Sequence, residues 1–441
     1  MLAGAALLLW PSFLNGYPIL FSDTGAFLAQ TVVPLMIWDK PWIYGPFAWL
    51  FHQHVSLWGV VAAQALIVSH LVWLLARVLG RASPARHVAL CAALAIFTTA
   101  PWSVALVMPD ILTPVAVLCA ALLGWGWDRL SRGERLWLLL LAPIATAAHL
   151  SNLPVLFALV VLAAMLRCWA AMARVALPLL GAVALLLATN WVGHGRLALS
   201  PHGSTFLLAR LLVDGPAART LAARCPEAGW YLCAFADRSF TNSDDFLWEP
   251  DSPVNRGPSG QPIFLGGARL SPEASAIIAE TLRREPLTVT WLALRNFARQ
   301  LTLTHIGDVL GRHHVGTNVR LRLEQGFPAF ELRAHDAALQ QQDQLSAKAE
   351  AIAPLHPWLL LLGSPFVALA LWRHVKAGDA RATGLLLCLL VGVLGNALAT
   401  GALSMPHHRY QARIVWLVPL AAVLFTRRAV LPQLHEQTRL A

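Results

Sequence analysis

The sequence predicts an all-α polytopic membrane protein with about ten transmembrane helices and one large periplasmic loop domain. Three observations lead there. Of 441 residues, 57% are hydrophobic and only 13% charged, with a mean hydropathy of +0.59, a balance foreign to water-soluble globules. Uncharged runs close to the roughly twenty residues that cross a hydrocarbon core recur at both ends of the chain. Basic residues gather in alternate turns between those runs, the pattern of membrane orientation. The formal charge of +10 is thus spread over many short turns instead of one aromatic-studded basic face, which argues against nucleic acid as a partner.

The runs, taken in order, are 1–20, 56–76, 88–107, 111–127, 136–150, 153–166, 175–194, 355–372, 383–404 and a last one ending at 426. The first has neither a basic leader nor a small-residue cleavage site, so a retained helix is expected, not a signal peptide. With the N-terminus cytoplasmic, the inner turns hold Arg77, Arg81, Arg86, Arg129, Arg132, Arg135, Arg167, Arg174, Arg373, Lys376, Arg381, Arg427, Arg428 and Arg439. The short outer loops hold only Lys40, Arg409 and Arg413. Fourteen against three predicts both termini inside and the long loop outside, in a bacterial inner (plasma) membrane. The chain divides into 1–193, seven helices with a first outer loop at 15–55; 194–353, the loop domain; and 354–441, three helices and a short cytoplasmic tail.

This topology brings scattered polar groups to one face. Phe21-Ser22-Asp23-Thr24-Gly25-Ala26-Phe27 follows the first apolar run and contains the first charge of the sequence. Asp23 is either the N-cap of a helix running from Thr24 or a carboxylate kept at the membrane boundary for function. Asp110, in Met108-Pro109-Asp110-Ile111, is either a turn residue beside proline or a second acid facing Asp23. Between Arg135 and Arg167 the chain breaks at His149-Leu150-Ser151-Asn152-Leu153-Pro154, which makes His149 and Asn152 cavity candidates against the commoner reading of packing residues. Only thirteen residues separate Arg413 from Arg427, too few to cross, so the last helix should begin near His408. Arg409 and Arg413, four apart, then share a helix face near its positive end, a geometry suited to phosphate oxygens; the bland alternative is snorkelling to headgroups.

In the outer loop, Ser271-Pro272-Glu273 reads as a helix start with its end near Glu285-Pro286. The stretch 287–303, apolar with Arg295 and Arg299 on one face, suits a position along the membrane surface. The stretch 334–352 reads as a polar helix returning to the bilayer. Cys225 and Cys233, the only cysteine pair in this loop, are expected to form a disulfide around Trp230 in an oxidising compartment. His52-Gln53-His54 and His313-His314 lack a matching carboxylate or cysteine set, so no metal is assigned, and no cofactor motif is found.

Together, an acidic residue after the first span, polar groups in later outer loops, a sizeable outer domain and the stretch Pro406-His407-His408-Arg409-Tyr410-Gln411-Ala412-Arg413-Ile414-Val415-Trp416-Leu417-Val418-Pro419 resemble the GT-C superfamily of membrane glycosyltransferases. The sequence departs from it in having Ser22-Asp23 where many relatives carry an acidic pair. The resemblance implies inverting transfer of a sugar from a polyprenyl-phosphate donor to a lipid, glycan or protein acceptor at the outer face. It implies Asp23 as general base, with Asp110 in the catalytic set, and Arg409, Arg413 and His408 at the donor phosphate. His149, Asn152 and Tyr410 would orient the substrates. Two other classes remain: a transporter of lipid-linked sugar or polysaccharide, and a non-catalytic membrane scaffold.

Overall fold

An apolar chain cut off from water satisfies its backbone N–H and C=O groups most simply within its own helix. The computed structural model describes residues 1–426, and among them no β-strand forms beyond isolated bridges pairing Ile19 with Leu106 and Arg256 with Pro262. The inner turn residues Arg427, Arg428 and Arg439 and the expected cytoplasmic tail lie outside the described residues. Among the described residues, four helical segments are long and apolar enough to cross a membrane: Trp58–Val78, Trp169–His194, Leu345–Lys376 and Ala380–Leu403. They differ in cover. Trp58–Val78 is 72% buried inside the protein, whereas Trp169–His194 and Leu345–Lys376 are 28% and 17% buried and turn apolar surface outward.

The other apolar runs are shorter or broken helices, and the reason lies in their prolines. Run 1–20 divides into Leu2–Leu8 and Trp10–Asn15, and run 88–107 into Pro84–Phe97 and Ala100–Ala105, with Pro11 and Pro101 at the restarts. Run 111–127 gives Leu112–Trp125, whose 14 residues span about 21 Å, short of a full hydrocarbon core of about 30 Å. Runs 136–150 and 153–166 give Arg132–Ala147 and Asn152–Met165. The last run begins at His408, but it is two helices, His408–Val415 and Leu417–Phe425, because Pro419 has no N–H to give the Val415 carbonyl. Leu112–Trp125 is the hub, buried from Leu112 to Gly124 and packed by Trp58–Val78, Arg132–Ala147, Trp169–His194 and Ala380–Leu403.

The stretch 194–353 is held in two different ways. Its first part has its own core, built on Leu208, Leu211, Phe246 and Ile277, and is closed at one edge by a Cys225–Cys233 disulfide. Its second part, from Ile306 to Ala353, packs into the main core of the protein. The helix read from Ser271 begins earlier, as Gly266–Arg284, and Pro272 lies inside it. The added turn is tied down by Thr205, whose Oγ1 donates to the Gly267 carbonyl at 2.7 Å. The polar helix expected over 334–352 is instead Ala329–Ala337 and Leu345–Glu350, because the intervening Gln340 is drawn into the protein as a backbone partner of Leu20. Pro286–Thr302 lies against the C-terminal end of Ala380–Leu403, close enough that a Cβ on Gly401 would lie 2.7 Å from the Asn296 carbonyl oxygen. Its other face exposes Leu287 at 83% and Trp291 at 66%, as a helix on a lipid surface would.

Candidate functional site

The segments around Asp23, Asp110 and Arg409 converge through a small set of backbone ties. Ile19 N–H donates to Ala105 O and Val107 N–H to Ile19 O, both at 2.9 Å, so the segment leading to Asp23 runs beside the one leading to Asp110. Thr24 Oγ1 donates to Val107 O at 3.0 Å. Two buried glutamines serve as surrogate strand partners. Gln340 accepts from Leu20 N at 3.0 Å and donates to Leu20 O at 2.8 Å. Gln300 accepts from His407 N at 3.0 Å and donates to His407 O at 2.7 Å. The first amide fixes the approach to Asp23, the second the approach to Arg409.

Asp23 is not the helix cap. The helix is Ser22–Val32, and Thr24 Oγ1 accepts from Phe21 N–H at 3.0 Å, leaving Asp23 in the first turn with its carboxylate turned to the neighbouring loop. Lys40 reaches it there at 3.1 Å and reaches Asp39 at 2.6 Å. Arg409 Nη1 stands 3.9 Å from Asp23 on the other side, and Arg409 Nε 3.8 Å from Asp110. Arg413 Nη1 ends the series, 3.5 Å from Asp110. The result is a ladder of alternating sign, Asp39, Lys40, Asp23, Arg409, Asp110, Arg413, with no net formal charge. Burial raises the Asp23 pKa, but Lys40 and Arg409 outweigh it and hold the carboxyl below its ordinary value. Burial likewise opposes the charge on Lys40, and the two flanking carboxylates overcome it, holding the ammonium above its ordinary value.

Two cavities meet at this ladder. One of about 820 Å³ and one of about 600 Å³ share Asp23, Asp39, Lys40, Phe206, Arg409 and Tyr410 on their walls. The larger continues past Trp38, Trp248, His313, His314 and Asn318. The smaller is walled by His149, Ser151 and Thr400 and by the apolar Leu207, Ile278, Leu282 and Leu403, of which Leu282 and Leu403 are exposed at its rim.

Not every predicted residue is on the wall. Asp110 lies behind Arg409, buried, on a crevice of about 20 Å³ that it shares with Arg413, so it does not face Asp23 across the chamber. Among the described residues neither oxygen of Asp110 has a hydrogen-bond partner, and two ion pairs hold it. Arg413 also stands behind the wall, donating to Ser151 Oγ at 2.9 Å and to Asn396 Oδ1 at 2.8 Å. Asn152 is wholly internal: its Nδ2 donates to Ala145 O and its Oδ1 accepts from Thr113 Oγ1, both at 2.9 Å. His408 uses Nδ1 to accept from His305 N–H at 3.0 Å. His149 does line the smaller cavity, its Nδ1 2.8 Å from Ser151 Oγ and its ring edge-on to Tyr410.

Sequence reasoning passed over Lys40. One signal was there: Lys40 is the only lysine in the first 347 residues, and it follows an aspartate in the loop expected to be outside. Trp38, Phe206 and Trp248 had no such signal, since tryptophans at membrane boundaries are ordinary. Comparison of the chain with protein-family models, curated proteins and solved structures returns no match.

Proposed function

We propose that the protein is a membrane glycosyltransferase of GT-C-like architecture. In this reading it crosses a bacterial inner membrane ten times, with its large loop periplasmic. It moves a sugar from a polyprenyl-phosphate donor to an acceptor at the outer face. The observation that carries the reading is the meeting of a chamber-facing carboxylate, Asp23, with two chamber-facing cations, Lys40 and Arg409, where a polar cavity joins an apolar one. The short helices complete their crossings in tilted or paired form, and the apolar lobe takes the start of the polyprenyl chain.

Asp23 takes the acceptor hydroxyl proton as the acceptor oxygen bonds to the anomeric carbon. The bond from that carbon to the phosphate oxygen breaks, its electron pair stays on the phosphate, and the configuration inverts. Lys40 and Arg409 stabilise the charge that collects there. Asp110 and Arg413 position Arg409 from behind, Tyr410 stands where the two lobes meet, and His149 lines the smaller one beside it. Proton transfer to Asp23 offsets the second charge gained by the leaving phosphate, so the ladder meets no net change during the step.

The test uses the full chain in nanodiscs with a panel of short-chain polyprenyl phosphates carrying radiolabelled hexoses or pentoses. Release of polyprenyl phosphate is expected from at least one donor. Asp23→Asn should lower kcat by about 10² to 10⁴ with donor binding retained. Arg409→Ala should weaken donor binding by roughly 10- to 100-fold. Substrate movement across the bilayer that survives Asp23→Asn would identify a transporter instead. Full function in the Asp23→Asn, Arg409→Ala double variant would identify a scaffold.

A further inference from the structure

The larger lobe is built for something the ladder alone does not explain. Three elements contribute aromatic rings to one wall: Trp38 from the first outer loop, Phe206 from the helix Ser204–Val213, and Trp248 from the helix Ser243–Trp248. Trp38 stacks on Phe206 with centroids 5.5 Å apart and meets Trp248 at 6.1 Å. Trp38 is seated against Gly267, where a Cβ would overlap its ring. Thr205, next to Phe206, holds that glycine's carbonyl. Trp248 nevertheless stays 45% exposed, with Lys40 Nζ 5.7 Å from its ring centre. A rigid aromatic wall with one face left open beside Asp23 forgoes burial that a merely structural cluster would take.

The rim of this wall is polar but not strongly charged in one sense. Asn242, Asp244 and Asn318 stand around it, the carboxylates of Asp23, Asp39 and Asp244 being balanced by Lys40, Arg322 and Arg409. Apolar faces ringed by amides and carboxylates match a sugar ring, whose C–H face is apolar and whose edge carries hydroxyls in need of partners. A lipid alcohol would favour the apolar lobe. An extended peptide seeks unpaired backbone groups along a groove, whereas Phe206 and Trp248 stand on helices whose N–H and C=O groups are largely used internally.

We infer that the larger lobe is a carbohydrate subsite in which a sugar ring lies on the Trp38–Trp248 wall with a hydroxyl toward Asp23. Resting on the transferase reading above, this makes the acceptor a glycan. The test is saturation-transfer NMR on the full chain in nanodiscs of phospholipid free of glycolipid. The probes are the methyl glycosides of glucose, galactose, mannose and N-acetylglucosamine, with N-acetylserine amide as the peptide control. At least one glycoside should bind and the serine amide should not. Trp248→Ala and, from a separate element, Trp38→Ala should each weaken that binding roughly tenfold or more, with Trp248→Phe restoring most of it. The inference is overturned if no glycoside binds, if both alanine variants bind as well as the parent, or if the serine amide binds in their place. Glycoside binding without sugar transfer from any donor would leave the subsite standing and remove the transferase reading, so the two failures are told apart.

Discussion

Two groups of buried charges in this protein are arranged in opposite ways. In the stretch 194–353, Asp214 is saturated. Arg210 Nε donates to it at 2.9 Å and Asn296 Nδ2 at 3.0 Å, Arg295 stands at 3.3 Å, and Arg210 also donates to the Ala402 carbonyl at the end of the helix Ala380–Leu403. At the chamber, Asp110 has ion pairs at 3.5 and 3.8 Å and no direct hydrogen bond. A charge taken out of water stabilises a fold only when its partners are close and its lone pairs are used. Asp214 meets that condition, and through Arg210 it ties the stretch to the helix Ala380–Leu403. Asp110 does not, and charges kept buried on loose terms are better explained by what they hold ready than by the stability they give.

The contrast is broken most directly at Asp214. Asp214→Ala leaves Arg210 buried without its counter-charge, and about 3–5 kcal/mol of stability should go with it. The check is a thermal unfolding scan of the purified protein, in which little or no fall in Tm would show that the saturated cluster is not structural. Reducing the Cys225–Cys233 bridge, or replacing both cysteines by serine, should cost about 2–3 kcal/mol, the entropy of a short closed loop. Proteolysis should then open the stretch around Trp230 first.

Asp110→Asn should cost less stability than either, roughly 1–2 kcal/mol, because no hydrogen bond is lost and Arg413 keeps Ser151 and Asn396. Its larger effect should be on the KM for the donor, through Arg409. An Asp110→Asn protein that unfolds as readily as Asp214→Ala would erase the distinction.

How much of this was legible in the sequence varies with range. Helical content and the start of the last helix at His408 follow from local hydropathy and from the thirteen-residue gap after Arg413, and both are visible in one dimension. The meeting of Asp23, Asp110 and Arg409 follows only so far as alternation predicts that their loops share a side. The roles within the cluster do not. Whether Asp110 faces the chamber or lies behind Arg409 depends on the Ile19–Leu106 bridge, and Lys40 reaches Asp23 only because its loop folds back over the helix Ser22–Val32. The Pro272 and Gln340 errors share a cause. Each took local propensity as decisive where a distant contact, Thr205 to the Gly267 carbonyl or Leu20 to the Gln340 amide, holds the chain in another way.

The smallest and most discriminating effect concerns Lys40. With Lys40 and Arg409 holding the Asp23 carboxyl below its ordinary value, Asp23 is ionised throughout the neutral range. The acid limb of kcat/KM for the acceptor, which reports the free enzyme, should therefore be absent between about pH 5 and pH 8. Lys40→Met removes a cation that favours the charged form, so the Asp23 pKa rises and the acid limb moves up. Asp39→Asn acts with the opposite sign. It removes the competing carboxylate, leaves Lys40 to Asp23 alone and should move the limb down. Two neighbouring substitutions that shift one titration in opposite directions are hard to produce by general damage to the fold, and a common direction in both would mean that Lys40 does not set the state of Asp23.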